Sequence, residues 1–313
     1  MYKALTTCML AGLRRGNRVL CEDVHKRAQQ QFREFTVQQL NDSKLQHDFS
    51  EIKMTYSNLE TDAVIPPGLV ILLSGGMDSL LMLFYALMVH RHAHVTALFI
   101  DYGAPYNEDE KIAFTQIADW FKSNRNHAAF KGLMFNVHFV THKVQDVELK
   151  DKEFGDGYII PLRNALLASI AVMYGDHIWL AAHWRKDDNP SGVCDKSVAF
   201  FTRLSEMLST NYDRPITVWS PFFHMRKEQA LAWLFNLHTS LTEPFKYCIS
   251  CYNPRISTLT ARMCGRCYAC WKSAKAYRAC NVMDVFQDLY TVSPFGTSNV
   301  KIYEQREIDK GRI

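Results

Sequence analysis

Long hydrophobic runs are missing from this sequence: no stretch approaches the ~18 uninterrupted apolar residues of a membrane-spanning helix. The opening residues, MYKALTTCMLAGLRRGNRVLCED, break short apolar pieces with arginines. They lack a continuous hydrophobic region with a cleavage site, so no secretory leader is expected and the cytoplasm is the expected compartment. A dominant charge is missing too. The 36 basic and 32 acidic residues leave a formal charge of +4, which permits an anionic ligand but does not argue for a nucleic-acid binder. Neither GxxxxGK[ST] nor a GxGxxG fingerprint at a strand end occurs, which removes the two best-known phosphate-binding glycine loops. Internal repeats and low-complexity tracts are absent, so a solenoid is not expected. What remains is a chain of 313 residues, 48% apolar and 22% charged, long enough for one large domain with attachments or two modest ones.

Cysteine is not scarce. Nine occur, and Cys248, Cys251, Cys264, Cys267 and Cys270 crowd one short segment. In a reducing compartment that clustering reads as metal ligation before disulfides.

Residues 1 to about 65 are the least legible. A helix is expected within Glu22 to Leu40, from apolar positions at Val24, Ala28, Phe32, Phe35 and Val37, and FSEIKMTYSNLE alternates loosely as a strand would. Beyond Pro66-Pro67-Gly68 the pattern sharpens. LVILL (69–73) is a continuous apolar run suited to a buried parallel strand, followed by SGGMDS (74–79) and a largely apolar helix. Strands are expected at 94–103, 133–140, 177–183 and around VWSPF. Helices are expected at 109–123, 161–175, AFFTRLSEMLST and MRKEQALAWLFNLH. Strands alternating with helices of this length predict an α/β fold, an open and mostly parallel sheet with helices on both faces. The cysteine region and tail form a small C-terminal module.

The sharpest short motif is Ser74, Gly75, Gly76, Met77, Asp78 and Ser79. Two glycines let the backbone turn tightly and expose successive N–H groups, and the following helix supplies its positive end. Such a loop can cradle phosphate, with Ser74 and Ser79 adding hydroxyl donors. Asp78 would orient loop groups or help hold Mg²⁺. The plain alternative is a solvent-exposed strand-to-helix turn.

The second motif is Cys251-x12-Cys264-x2-Cys267-x2-Cys270, four thiolates at a spacing suited to tetrahedral Zn²⁺. With no histidine or carboxylate among them, they read as a closed structural site. An iron–sulfur cluster is the rival, since C-x2-C-x2-C occurs there as well. Cys248 is the spare.

The SGGMDS string resembles the pyrophosphatase loop (PP-loop) of enzymes that cleave ATP between its α and β phosphates. The stretch from Leu69 to about Cys280 resembles the 7-cyano-7-deazaguanine (preQ0) synthase family of that superfamily. The matching text is SGGMDS, LFIDYG (98–103), PLRN (161–164), MRKE (225–228), SCYNP (250–254) and CGRCYACWKSAKAY (264–277). The resemblance implies a Rossmann-like domain over 66–245, a zinc-binding helical region over 246–313, and an N-terminal extension, 1–65, with no counterpart in the compact enzyme. It implies ATP, Mg²⁺ and Zn²⁺ as cofactors, and conversion of 7-carboxy-7-deazaguanine and ammonia to the nitrile through adenylated acid and amide. Asp78, Arg163 and Lys227 would be catalytic. Residues 74–79 would bind the nucleotide with Asp101, Arg163 and Asn164, and Cys251, Cys264, Cys267 and Cys270 would hold the zinc. A homodimer is implied by analogy with relatives.

Two places depart from the family pattern. Leu162 stands where the family carries glycine before Arg-Asn. After HIWLAA comes HWRKDDNPSGVCDKS in place of an acidic segment ending in proline–aspartate–cysteine–arginine. Asp187, Asp188, Cys194 and Asp195 are therefore the candidates for the base, since a carboxylate can accept from a guanine-like N1–H and exocyclic amine. Divergent relatives in antiviral systems and phage genomes make a deazaguanine-conjugating enzyme acting on a partner protein the leading alternative, the extension being a partner surface. A tRNA-modifying enzyme is another. Arg262, Arg266, Lys272, Lys275 and Arg278 could contact phosphates, although an ordinary solvated face is favoured.

Overall fold

A computed structural model describes residues 68–90, 94–104, 106–144, 152–154, 157–159, 162–183, 195–223, 225–251, 263–295, 303 and 305. The helix expected within 22–40, the strand expected within 49–60, and Asp187, Asp188 and Cys194 all lie outside the described residues.

Strand β1 (Leu69–Leu72) leads through the glycine loop into helix α1 (Met77–Met88). Then follow β2 (His94–Asp101), α2 (Asn107–Ser123) and β3 (Asn136–Lys143). A short antiparallel pair, β4 (Lys152–Phe154) and β5 (Gly157–Ile159), precedes α3 (Arg163–Ala171). The chain continues through β6 (His177–Trp179), α4 (Val198–Tyr212), β7 (Thr217–Trp219) and α5 (Lys227–Leu237). After the short α6 (Thr242–Phe245) come α7 (Tyr268–Ala279) and α8 (Met283–Phe286).

The main sheet runs β3-β2-β1-β6-β7, parallel at every pairing. The five expected strands all form, though the run expected over 177–183 ends as a strand at Trp179. β1 is apolar throughout because it is covered on both sides. Val70 and Leu72, with Leu98 and Ile100 of β2, pack in one cluster with Ala168 and Ala171 of α3 and Phe201 and Leu204 of α4. On the other side Phe99 meets Phe114 of α2 at 5.5 Å between ring centroids. There, too, Phe84 of α1 stands 5.3 Å from Phe121 and 5.9 Å from Phe245. Helices therefore cover both faces.

The chain leaves β1 toward β2 and β3, then returns on β1's other side with β6. The crevice outside the C-terminal ends of β1 and β6 is thus a topological switch point, where open α/β sheets bind ligands. The site described next lies wholly within the compact unit of residues 67–212 and 216–313.

Candidate active site and four-cysteine centre

At the end of β1 the chain turns at Gly75, whose φ of +76° is left-handed. A Cβ there would stand 2.6 Å from the Glu110 carbonyl oxygen and 2.9 Å from Ala113 Cβ, so only glycine fits against α2. Gly76 then caps α1 in extended conformation with no side-chain cap. The first-turn N–H groups of this 12-residue helix are left for a ligand, and the dipole adds positive potential. Ser79 Oγ donates to the Gly76 carbonyl at 2.9 Å and lies 3.4 Å from Ser74 Oγ, which ties the two ends of the turn together.

This loop floors a cleft of about 290 Å³. Ser74, Gly76, Met77, Asp78 and Ser79 line it, while Gly75 is turned onto α2. Arg163, Asn164, Lys196 and Lys227 line it as well, bringing three cations to one wall system. Tyr102, Tyr106 and Glu110 supply another side. The tyrosine hydroxyls stand 3.3 Å apart. Burial pushes the Tyr102 phenol well up despite the pull of Arg163, so it remains a neutral donor. For Arg163, burial opposes the charge, and Tyr102, Tyr106, Glu110 and Asp195 together more than offset it.

Asp78 is the acidic counterweight. Its Oδ2 accepts an ion pair from Lys227 Nζ at 2.8 Å, and Oδ1 stands 3.4 Å from His183 Nε2. Burial works to raise the Asp78 pKa, but Lys227 and then His183 overcome it and hold the carboxyl well below the usual range. At 3.4 Å the His183 contact is an electrostatic one: Asp78 Oδ1 and His183 Nε2 are both buried without a hydrogen-bond partner. His183 Nδ1 meets the Met225 carbonyl at 2.9 Å, and the ring stacks on Phe222 with 5.5 Å between centroids. A carbonyl only accepts, so Nδ1 carries a proton.

Other expected residues are placed differently. Asp101 is buried and accepts from the Gly103 N–H at 3.2 Å, shaping the turn after β2 instead of lining the cleft. Asp195 accepts from Asn164 Nδ2 through its carboxylate at 2.9 Å and its carbonyl at 3.1 Å, so it fixes a cleft residue from behind. Lys196, which sequence reasoning missed, is solvent-exposed at the rim. Protein still surrounds it closely enough that desolvation, then Arg163 and Lys272, push its pKa below the ordinary lysine value. The only signal for it was a cation one residue past an unusual Cys-Asp pair. His183, Tyr106 and Glu110 were also missed. Leu162 has φ 56°, left-handed and 67% exposed, which explains why glycine suits the place before Arg163.

Beside the cleft, the sulfurs of Cys251, Cys264, Cys267 and Cys270 all lie within 4.8 Å of one another. Individual separations are 3.4 Å for Cys267–Cys270, 3.9 Å for Cys264–Cys270 and 4.0 Å for Cys251–Cys267. A single tetrahedral ion with bonds of ~2.3 Å asks for sulfurs ~3.8 Å apart, so the set fits one. The Cys264 N–H points at Cys251 Sγ and the Arg266 N–H at Cys264 Sγ, each at 3.4 Å, donors of the kind that steady thiolates. Gly265 makes the tight turn possible, since a Cβ there would collide with the Val292 carbonyl. Cys248 stands apart from this set. Burial, with Asp78 adding, pushes its thiol well up. Lys272, Lys275 and Arg278 lie over the rings of Tyr268, Trp271 and Phe295.

The chain matches the model of the family described as queuosine biosynthesis protein QueC over residues 68–281. It is 27% identical over 237 residues to a 7-cyano-7-deazaguanine synthase from Chloroherpeton thalassium, covering 72% of this chain and 97% of that one. A synthase of the same name from Rickettsia felis is 28% identical over 227 residues, covering 69% and 96%. One from Pyrococcus abyssi is 27% identical over 223 residues, covering 64% and 88%. Among solved structures, a U34-tRNA thiolase from Methanococcus maripaludis with a [4Fe-4S] cluster aligns with 85% of this chain and 79% of its own. The two share 14% identity at a TM-score of 0.37.

Proposed function

This chain belongs to the queuosine biosynthesis protein QueC family, and on that premise we propose that it uses ATP to convert 7-carboxy-7-deazaguanine and ammonia into the 7-cyano base. The observation that carries the reading is the meeting, at one switch-point cleft, of the uncapped loop 74–79 with Arg163, Lys196 and Lys227. Those groups together suit a polyphosphate beside a second anion, here a carboxylate.

In this reading the N–H groups of the α1 first turn and Ser74 take the β and γ phosphates, leaving the α-phosphorus at the cleft centre. Arg163 and Lys196 steer the substrate carboxylate, whose oxygen attacks that phosphorus and expels pyrophosphate. Lys227 offsets the charge that accumulates on the departing group. Ammonia then adds to the acyl carbon and AMP leaves with the electron pair. A second adenylation, on the amide oxygen, lets loss of AMP and two protons form the nitrile. Apolar walls at Leu72, Leu98 and Leu180 keep water from the mixed anhydride. Asp78, with Oδ1 buried and lacking a hydrogen-bond partner, is the residue to hold Mg²⁺, which would neutralise phosphate charge.

The metal of the four-cysteine centre is zinc in this reading. A four-iron cluster would set its own iron–sulfide cube between the thiolates and spread them beyond the spacing observed. Zinc bound by four thiolates supplies structure, not chemistry.

The test is purified protein with Mg²⁺, ATP, ammonia and 7-carboxy-7-deazaguanine, read by mass spectrometry. The nitrile with release of AMP and pyrophosphate is expected. No ATP turnover with this acid would overturn the reading, and turnover only with an added protein would redirect it to conjugation.

A further inference from the structure

The cysteine centre and the glycine loop are neighbours through a segment whose job the reaction does not explain. Three residues before Cys251, the chain at Cys248 enters a buried stretch, and the Ile249 N–H donates to the Gly75 carbonyl at 3.0 Å. Among the described residues, that backbone bond ties the turn at 74–76 to a segment outside β1, α1 and α2, apart from the side-chain contacts of Asp78 with Lys227 and His183. A trans peptide is planar, so pinning the Gly75 carbonyl toward Ile249 fixes the Gly76 N–H on the opposite side. Gly76 itself sits over this segment: a Cβ on it would lie 3.5 Å from the Ile249 carbonyl oxygen and 3.7 Å from Ser250 Oγ.

What holds Ile249 is the cysteine centre. Its side chain is buried in one cluster with Ala113, Cys251, Met263, Cys270 and Ala274. Two bonded neighbours on, Cys251 supplies one of the four convergent sulfurs. Ala113, in the same cluster, is also the side chain against which Gly75 is packed. A second connection runs through α7, where Ala269 lines the cleft between the two sulfur-bearing positions Cys267 and Cys270. Without a metal, no covalent bond joins the four thiols, and the contacts recorded between Cys251 and the rest are weak, an N–H from Cys264 at 3.4 Å and a thiol contact from Cys267 at 4.0 Å.

We propose that the four-cysteine centre and the phosphate loop are one linked unit, in which Ile249 braces Gly75 and metal occupancy tightens the binding of ATP. The proposal rests on the reading of the loop as an ATP site. Linkage is reciprocal, so ATP must in turn tighten the hold on the metal.

The test follows metal release from the purified, metal-loaded chain to a chromogenic chelator, with and without saturating Mg²⁺ and a non-cleavable ATP analogue. Analogue affinity is measured alongside by calorimetry. In the wild type the analogue should slow release about fivefold to tenfold, roughly what one well-made hydrogen bond can transmit. Ile249→Pro deletes the N–H without touching a cysteine. It should keep about one metal per chain, lose that protection, and bind the analogue about fivefold to tenfold more weakly. Ile249→Val, which keeps the N–H, should behave as wild type. Hydrogen exchange at residues 75–79 should rise in the proline variant only. If the wild type binds the analogue but releases metal at the same rate with or without it, the linkage is wrong while the ATP reading stands. Equal affinity in a folded, metal-loaded Ile249→Pro would be equally fatal to the brace. A wild-type chain that ignores the analogue overturns both ideas together. Should the proline variant fail to fold, the wild-type release rates decide alone.

Discussion

Lys227→Met should destabilise the protein at neutral pH, and the deficit should shrink on acidification. Lys227 Nζ is 2.8 Å from Asp78 Oδ2, with side-chain exposures of 20% and 27%. Exposed pairs are worth less than ~1 kcal/mol, and severing a fully buried one costs ~3–5 kcal/mol because the survivor keeps an uncompensated charge. The partial burial here places the expected loss near ~2–3 kcal/mol. Its sign with pH is distinctive. In the wild type the folded Asp78 carboxyl lies below its unfolded value, so its contribution is fully present above pH ~3.9 and is lost as pH falls through the folded value. In Lys227→Met the chief lowering partner is gone and burial dominates, so the folded value rises above the unfolded one. The carboxylate's ionisation then opposes folding at pH 7 and ceases to do so as the group protonates, and the gap to wild type closes toward pH 5. Asp78→Asn in the Lys227→Met background should restore at least half of the loss at pH 7 without restoring pyrophosphate release, for which Lys227 and Asp78 are both proposed to be needed. Urea titrations of the wild type, both single variants and the double variant at pH 5, 6 and 7 form the assay. A pH-independent deficit, or additive single-variant losses, would refute the account of a carboxylate held charged by its neighbours.

Cys264→Ser should lose bound metal, measured by mass spectrometry of the metal, and lower the melting temperature, because thiolate binding contributes to folding. Cys248→Ala should keep one metal per chain, since that thiol stands outside the convergent set. Gly75→Ala should cost ~2–4 kcal/mol in denaturant titration and weaken ATP binding, the added methyl meeting a backbone oxygen at 2.6 Å in a left-handed conformation. Leu162→Gly should raise stability by up to ~1 kcal/mol. It relieves a left-handed, largely exposed leucine, and the gain is trimmed by glycine's extra freedom in the unfolded chain.

The parts of the site with local signatures were readable in the sequence. LVILL before SGGMDS marks a buried strand feeding a loop, and the four cysteines declare themselves by spacing. What escaped depends on long-range placement. Glu110 and Tyr106 belong to a solvated-looking helix start, and only its packing onto Gly75 turns them toward the cleft. Asp101 was expected among the nucleotide's ligands because strand ends display such groups, yet its side chain closes on the Gly103 N–H two residues ahead. Asp195 could not be distinguished from a base-reading carboxylate without its partner Asn164, 31 residues away. The β4–β5 pair has three-residue strands, too short for periodicity to register.

The central seam of the sheet carries a consequence for biosynthesis. Leu69 is registered against His177, and the brace beneath the glycine turn comes from residue 249. A ribosome must therefore have passed residue 249 before the cleft can close. Until then β1, apolar on both flanks, has only one half of its shelter, and such long-range pairing is intrinsically slow. Truncation anywhere upstream of Ile249 should yield an insoluble fragment, not a weakened enzyme.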